Sequence, residues 1–137
     1  MYEVFLHPDA QKVYLAGDSY NDFLIKYDSN GNKLWTRQWG YWNSTTSSLD
    51  IDSMGNVYVT GYISGSLDSK TYGGSSDAYL TRFDSNGNRN WSDQFGSVDM
   101  ELSSDIIIDN VNNIYLVGEI GQSTSNGNIW LAKYSNA

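Results

Sequence analysis

The sequence predicts an all-β protein made of successive four-stranded antiparallel units, two complete and a third lacking its outer strand. Three observations carry this reading. A strand motif recurs three times: VYLAG at 13–17, VYVTG at 57–61 and IYLVG at 114–118. A turn motif occurs twice: YDSNGNKLW at 27–35 returns as FDSNGNRNW at 83–91. Thirteen Gly, a single Pro and short clusters of Ser, Asn, Asp and Thr separate apolar alternations, which is the punctuation of strands joined by tight turns and leaves little room for helices.

The elements follow in order within each unit and are called here A, B, C and D. Strand A and its turn are VFLHPDAQK, SLDIDSMGN and DIIIDNVNN, and strand B is the VYLAG-type motif. Strand C is DFLIKYD at 22–28, AYLTRFD at 78–84 and IWLAKYS at 129–135, in register at Leu24, Leu80 and Leu131 and again at Lys26, Arg82 and Lys133. Strand D is KLWTRQWG at 33–40 and RNWSDQFG at 89–96, with Trp35 and Trp91 at equivalent positions as packing residues; a third copy is absent. The units therefore run over about 1–40, 41–96 and 97–137 within one domain, 1–137, a length sufficient for a hydrophobic core.

Turn chemistry supports the same division. Gly55 ends the second A–B turn and can take positive φ without steric cost. Its counterparts are Asn112, the next most tolerant residue, and Gln11, which fits poorly and predicts a different or strained turn in unit one. Asn30-Gly31 and Asn86-Gly87 are short-hairpin signals, with Asp28 and Asp84 placed to accept hydrogen bonds from the turn backbone.

A period of roughly 45 to 57 residues with four strands per unit is that of a β-propeller blade and fits poorly with solenoids. Gly55–Gly96 carries GNVYVTG, SGSLD, GG-x-x-DAY and DSNGN before a Trp strand, and it resembles the β-propeller repeat family of bacterial and archaeal secreted and cell-surface proteins. The resemblance implies blades, and an extracellular or cell-surface location for a natural protein. It supplies no catalytic constellation to carry over, and a shared fold does not fix function. Closed propellers have about four to eight blades, so three units leave apolar faces and the strand C edge near Trp130 uncovered. We therefore expect a homo-oligomer with head-to-tail contacts, a homodimer of six blades being favoured, or an excerpted or engineered fragment.

Composition excludes several function classes. Sixteen acidic against eight basic residues give a formal charge of −8 with no Lys or Arg cluster, which disfavours nucleic acid and anionic membranes. No apolar run is long enough to span a bilayer, and no secretory leader is visible at the start. There is no Cys, so thiol catalysis and cysteine metal sites are out. His7 is the single histidine and aligns with Ile51 and Ile108 on strand A; no nucleophile elbow and no phosphate-binding glycine loop occurs, so the chain is read as non-enzymatic without a cofactor. Asp50 and Asp52 are spaced for one strand face, yet Asp52 recurs as Asp109 at the A–B turn, as a structural residue would.

DSNGN at 28–32 offers alternate oxygens like a calcium loop, but its Gly comes too early and no Glu closes it, so it is read as a turn. Asp68 and Asp77 flank the longest B–C connection and are weak candidates to share a metal ion. The connections that differ in length are the B–C links, about four, fifteen and nine residues in units one to three, against the short loops usual in hairpins. Tyr20, Tyr62 and Tyr72 lie in these links, and Tyr41 with Trp42 opens the first D–A link. Such aromatics suit a carbohydrate or protein ligand; packing of Tyr41 and Trp42 between blades is the competing reading.

Overall fold

Each tight turn folds one strand back on the one before it, and the computed structural model shows the result as three antiparallel sheets. It describes residues 2–6, 12–19, 21–40, 43–70, 72–121 and 127–135. The first sheet holds β1 (Tyr2–Leu6), β2 (Lys12–Ser19), β3 (Asn21–Asp28) and β4 (Lys33–Trp39), in chain order. The second holds β5 (Ser44–Ile51), β6 (Val57–Ile63), β7 (Asp77–Phe83) and β8 (Arg89–Phe95). The third holds β9 (Met100–Ile108), β10 (Ile114–Gly121) and β11 (Asn128–Tyr134), with β11 at its edge. These are β-propeller blades.

The irregularities repeat along with the strands. An extra residue bulges out of strand A at Ser47, opposite Gly61 and Thr60, and again at Ser104, opposite Gly118 and Val117. The C–D ladders shift register between Lys26 and Tyr27 and between Arg82 and Phe83. A bulge changes which face every later residue presents, so its recurrence keeps equivalent side chains on equivalent faces.

Those faces build two cores, one on each side of the second sheet. Toward the first sheet, Leu49, Ile51, Val57, Val59, Ile63, Tyr79 and Phe83 pack with Tyr14, Ala16, Leu24 and Trp39. Toward the third, Tyr58 and Leu80 pack with Ile106, Ile114 and Leu116, and Phe95, Trp130 and Tyr134 flank them. Burial on both faces makes β6 and β7 buried almost throughout, whereas β11 alternates between exposed and half-buried residues. Each fully buried aliphatic side chain contributes about 1.5–3 kcal/mol.

One turn device closes four hairpins. In each, an Asp carboxylate accepts backbone N–H bonds from the residues two and four places on, while the other oxygen accepts from the Asn amide: Asp28 with Asn32, Asp52 with Asn56, Asp84 with Asn88 and Asp109 with Asn113. The residue before that Asn takes positive φ: 82° at Gly31, Gly55 and Gly87, and 64° at Asn112. The turn expected to be unusual, at Gln11, lies outside the described residues.

Candidate interaction surface

The long link between β6 and β7 is less open than its length suggests. Its Leu67 is buried in the first core, and the Gln94 side chain holds the segment by accepting from Leu67 N–H at 2.6 Å and donating to Gly65 C=O at 2.8 Å. The same amide donates to Asp77 Oδ2 at 2.9 Å, and Gly73 N–H adds a second bond to that oxygen. Asp77 is fully buried, while Asp68 is an exposed ion-pair partner of Arg89 at 2.8 Å. The two carboxylates considered for a metal ion thus have separate engagements. Among the described residues no group of three or more His, Asp or Glu side chains is placed to hold a metal.

Tyr62 corrects the loop boundary read from sequence. It lies within β6, opposite Thr45 and Ala78, because ladder pairing continues to Ile63. Tyr72 is in the link and exposed. Tyr20, Tyr41, Trp42 and His7 lie outside the described residues. Asp50 and Asp52 also part company: Asp52 closes the β5–β6 turn, whereas Asp50 reaches across to the third sheet and accepts from Ile108 N–H at 2.7 Å. Burial raises the Asp50 pKa, against the lowering effect of its two N–H donors, and the negative Asp105 nearby adds to the rise.

The hairpins at one end also lock neighbouring sheets. Lys26 donates from Nζ to Ser85 C=O at 2.6 Å, and Arg37 donates from Nε to Gly87 C=O at 2.6 Å. Gly87 sits where a Cβ would come within 2.9 Å of the Trp35 ring. Burial lowers the Lys26 pKa, with the positive Lys12 adding to the effect and Asp84 opposing it. Between the second and third sheets, Asn112 accepts from Ser53 N–H at 3.0 Å and donates to Ser53 Oγ at 2.8 Å.

A site emerges when equivalent residues are followed from sheet to sheet. Leu24 faces the second sheet and Leu80 faces the third, and both are 0% exposed; Leu131, at the same position, is 72% exposed. Ala16 and Thr60 are buried where Val117 is open, and Tyr14 and Tyr58 are buried where Tyr115 is half-buried. Ile107 and Ile129 join Val117 and Leu131 on this outer face of the third sheet. A shallow cavity of about 90 Å³ lies there, lined by Asp105, Ile107, Tyr115, Val117 and Leu131 among others. Strand alignment holds a signal that motif reading missed. Ile107 stands where unit two has Asp50, Val117 where it has Thr60, and Ile129 where it has Ala78. The open face is more apolar than the covered face it copies.

Comparison with known proteins agrees with the fold. The family model described as beta-propeller repeat matches residues 34–68, from β4 into the link after β6, as the resemblance in the sequence implied. A crystal structure of a protein of unknown function from Bacteroides caccae is similar at a TM-score of 0.52 and 11% identity, over 98% of this chain and 47% of that one. The chain therefore spans about half the length of that solved protein. No curated protein matches.

Proposed function

We propose, from the premise that this chain carries the β-propeller repeat, that it is a non-enzymatic structural and interaction module that self-associates into a closed ring through the outer face of its third sheet. The observation that carries this is the exposure of Leu131 and Val117 at positions whose counterparts, Leu24 and Leu80 for the one and Ala16 and Thr60 for the other, are interior. Inside the chain, such a face is always covered by the opposite face of the next sheet: by Val57, Val59, Tyr79 and Phe83 in one case, by Ile114, Leu116, Trp130 and Tyr134 in the other. The first sheet has Phe23 and Tyr27 at the positions matching Tyr79 and Phe83, both half-buried. A second copy thus offers the apolar complement, in a heterologous contact that closes by rotation, and two copies give a blade number within the range of about four to eight.

Sedimentation velocity at micromolar concentration tests the reading. The expected species has twice the 15.4 kDa chain mass, and Leu131→Arg converts it to a folded monomer, since a charge at that seam is left unpaired. A wild-type chain that stays a well-folded monomer throughout the range overturns the proposal.

A further inference from the structure

Lys12 and Lys26, well separated in sequence, become neighbours in the fold. Lys12 pairs with Asp28 and Tyr14 with Lys26 across β2 and β3, which makes the two lysines diagonal neighbours on one face. That face looks onto the second sheet. At the hairpin end of the seam lies an open cleft of about 270 Å³, with Lys12, Tyr14 and Lys26 on one wall and Ser53, Met54 and Ser85 on the other. Lys26 is buried, and of the three N–H bonds an ammonium group can donate, the described residues take one, at Ser85 C=O. The rings of Tyr14 and Trp35 face its charge at 5.5 and 5.8 Å. Lys12 is half-buried and has no ion-pair partner among the described residues. The carboxylates that act on the two lysines, Asp28 and Asp84, are turned into their own hairpins, where backbone N–H groups and an Asn amide already bond them.

At the next seam the corresponding positions are engaged by the fold itself. Asn56 stands where unit one has Lys12, and its amide closes the turn on Asp52. Arg82 stands where unit one has Lys26, and it donates to Tyr58 Oη and Asn90 Oδ1. Lys12 is therefore a departure from the repeat, and it brings a second cation to the cleft in a chain whose net charge is −8. Two ammonium groups on one cleft repel each other until an anion lies between them. We propose that this cleft binds a phosphate dianion carried on a small organic molecule as a monoester. Two ammonium groups match the two charges of the phosphate, as point charges suited to its oxygens. Ser53 Oγ accepts from the Asn112 amide, which leaves its own O–H to donate to a further oxygen. A cleft of this volume has room beyond the phosphate for a carbon body, against Tyr14 and Met54. The site lies between the first and second sheets of one chain, away from the face invoked for self-association, so either assignment can fail alone.

The probes are inorganic phosphate and phenyl phosphate, titrated into the isotope-labelled full chain at constant ionic strength and followed by amide chemical shifts. Sodium chloride is the control for screening. Saturable shifts at Ser53, Met54 and Ser85 are expected with both probes, and phenyl phosphate saturates at the lower concentration. Lys12→Asn, the residue that units two and three have at this position, weakens both about tenfold, the scale of one lost charge-assisted bond. It leaves the amide spectrum of the second and third sheets in place, and Lys12→Arg keeps the binding. Phenyl phosphate binding no tighter than inorganic phosphate overturns the ester and makes the free ion the occupant. No saturable shifts, shifts that sodium chloride reproduces, shifts centred on other residues, or indifference to Lys12→Asn overturns the site.

Discussion

The second and third sheets are built from strands of the same pattern, yet they differ in what their residues experience. β7 and β11 read AYLTRF and IWLAKY over matched positions. In β7 every residue but Arg82 is buried, whereas β11 has none fully buried. β7 is paired on both sides and covered on both faces, whereas among the described residues β11 pairs with β10 alone and has a neighbouring sheet on one face. Burial belongs to the stack of sheets, and a repeat acquires its full stability from the units on either side.

Leucine truncation probes that contrast most strongly. Leu80→Ala is expected to cost about 2–5 kcal/mol in chemical denaturation, the range for deleting a buried leucine side chain. Leu131→Ala in a dilute monomer should change stability by less than about 0.5 kcal/mol, as surface substitutions do. Equal costs would mean that the outer face is already covered under those conditions, and a concentration-dependent cost for Leu131→Ala would sharpen the self-association reading.

The two DSNGN hairpins give a smaller version of the same comparison. Gly31 and Gly87 share a φ of 82°, but a Cβ at Gly31 meets nothing within 4 Å, whereas at Gly87 it meets Trp35. Gly31→Ala should cost about 1–2 kcal/mol, for the left-handed conformation alone. Gly87→Ala adds overpacking of about 1–3 kcal/mol. Thermal unfolding of the two variants checks the order, and equal losses would place the second hairpin away from the first sheet.

The smallest effects concern protonation. Hydrogen bonds from the Asn32, Asn88 and Asn113 side chains, reinforced by backbone N–H donors, hold the Asp28, Asp84 and Asp109 pKa values below the ordinary 3.8. Their stabilising contribution is present above that value and is lost as pH falls through the folded pKa. Asp50 runs the other way. Its folded pKa is raised above 3.8 by burial, so its contribution is present below 3.8 and is lost as pH rises through the raised value. Carboxyl NMR titration should find three midpoints below 3.8 and that of Asp50 above it; Asp50 titrating with the turn group would mean that the second and third sheets part at that point.

Much of this architecture is legible in the chain because its causes are local. Asp28 and Asn32 close their turn within five residues, and Gly31 has the conformational freedom the turn requires, so the motif is also the mechanism. Alternation along VYVTG assigns faces without any distant partner. The candidate surface is different. Leu24, Leu80 and Leu131 are one letter in three equivalent places, and nothing within that strand tells which will be covered. Only the excess of apolar residues at Ile107, Val117 and Ile129 hinted at it, and that hint needed the units aligned in register. Leu67 was equally hidden, since its burial depends on Gln94, far along the chain.

The sequence by itself determined the all-β class, the four-strand repeat, the hairpins and the order of strands within a sheet, because each follows from short-range sterics, turn hydrogen bonds and two-residue periodicity. Only the tertiary structure decided which copies of a residue are interior, that Gly87 is pressed against Trp35, that Tyr62 belongs to a strand, and that Val117 and Leu131 are exposed on the third sheet. Burial and contact arise between segments far apart in sequence, and they depend on what lies across the gap.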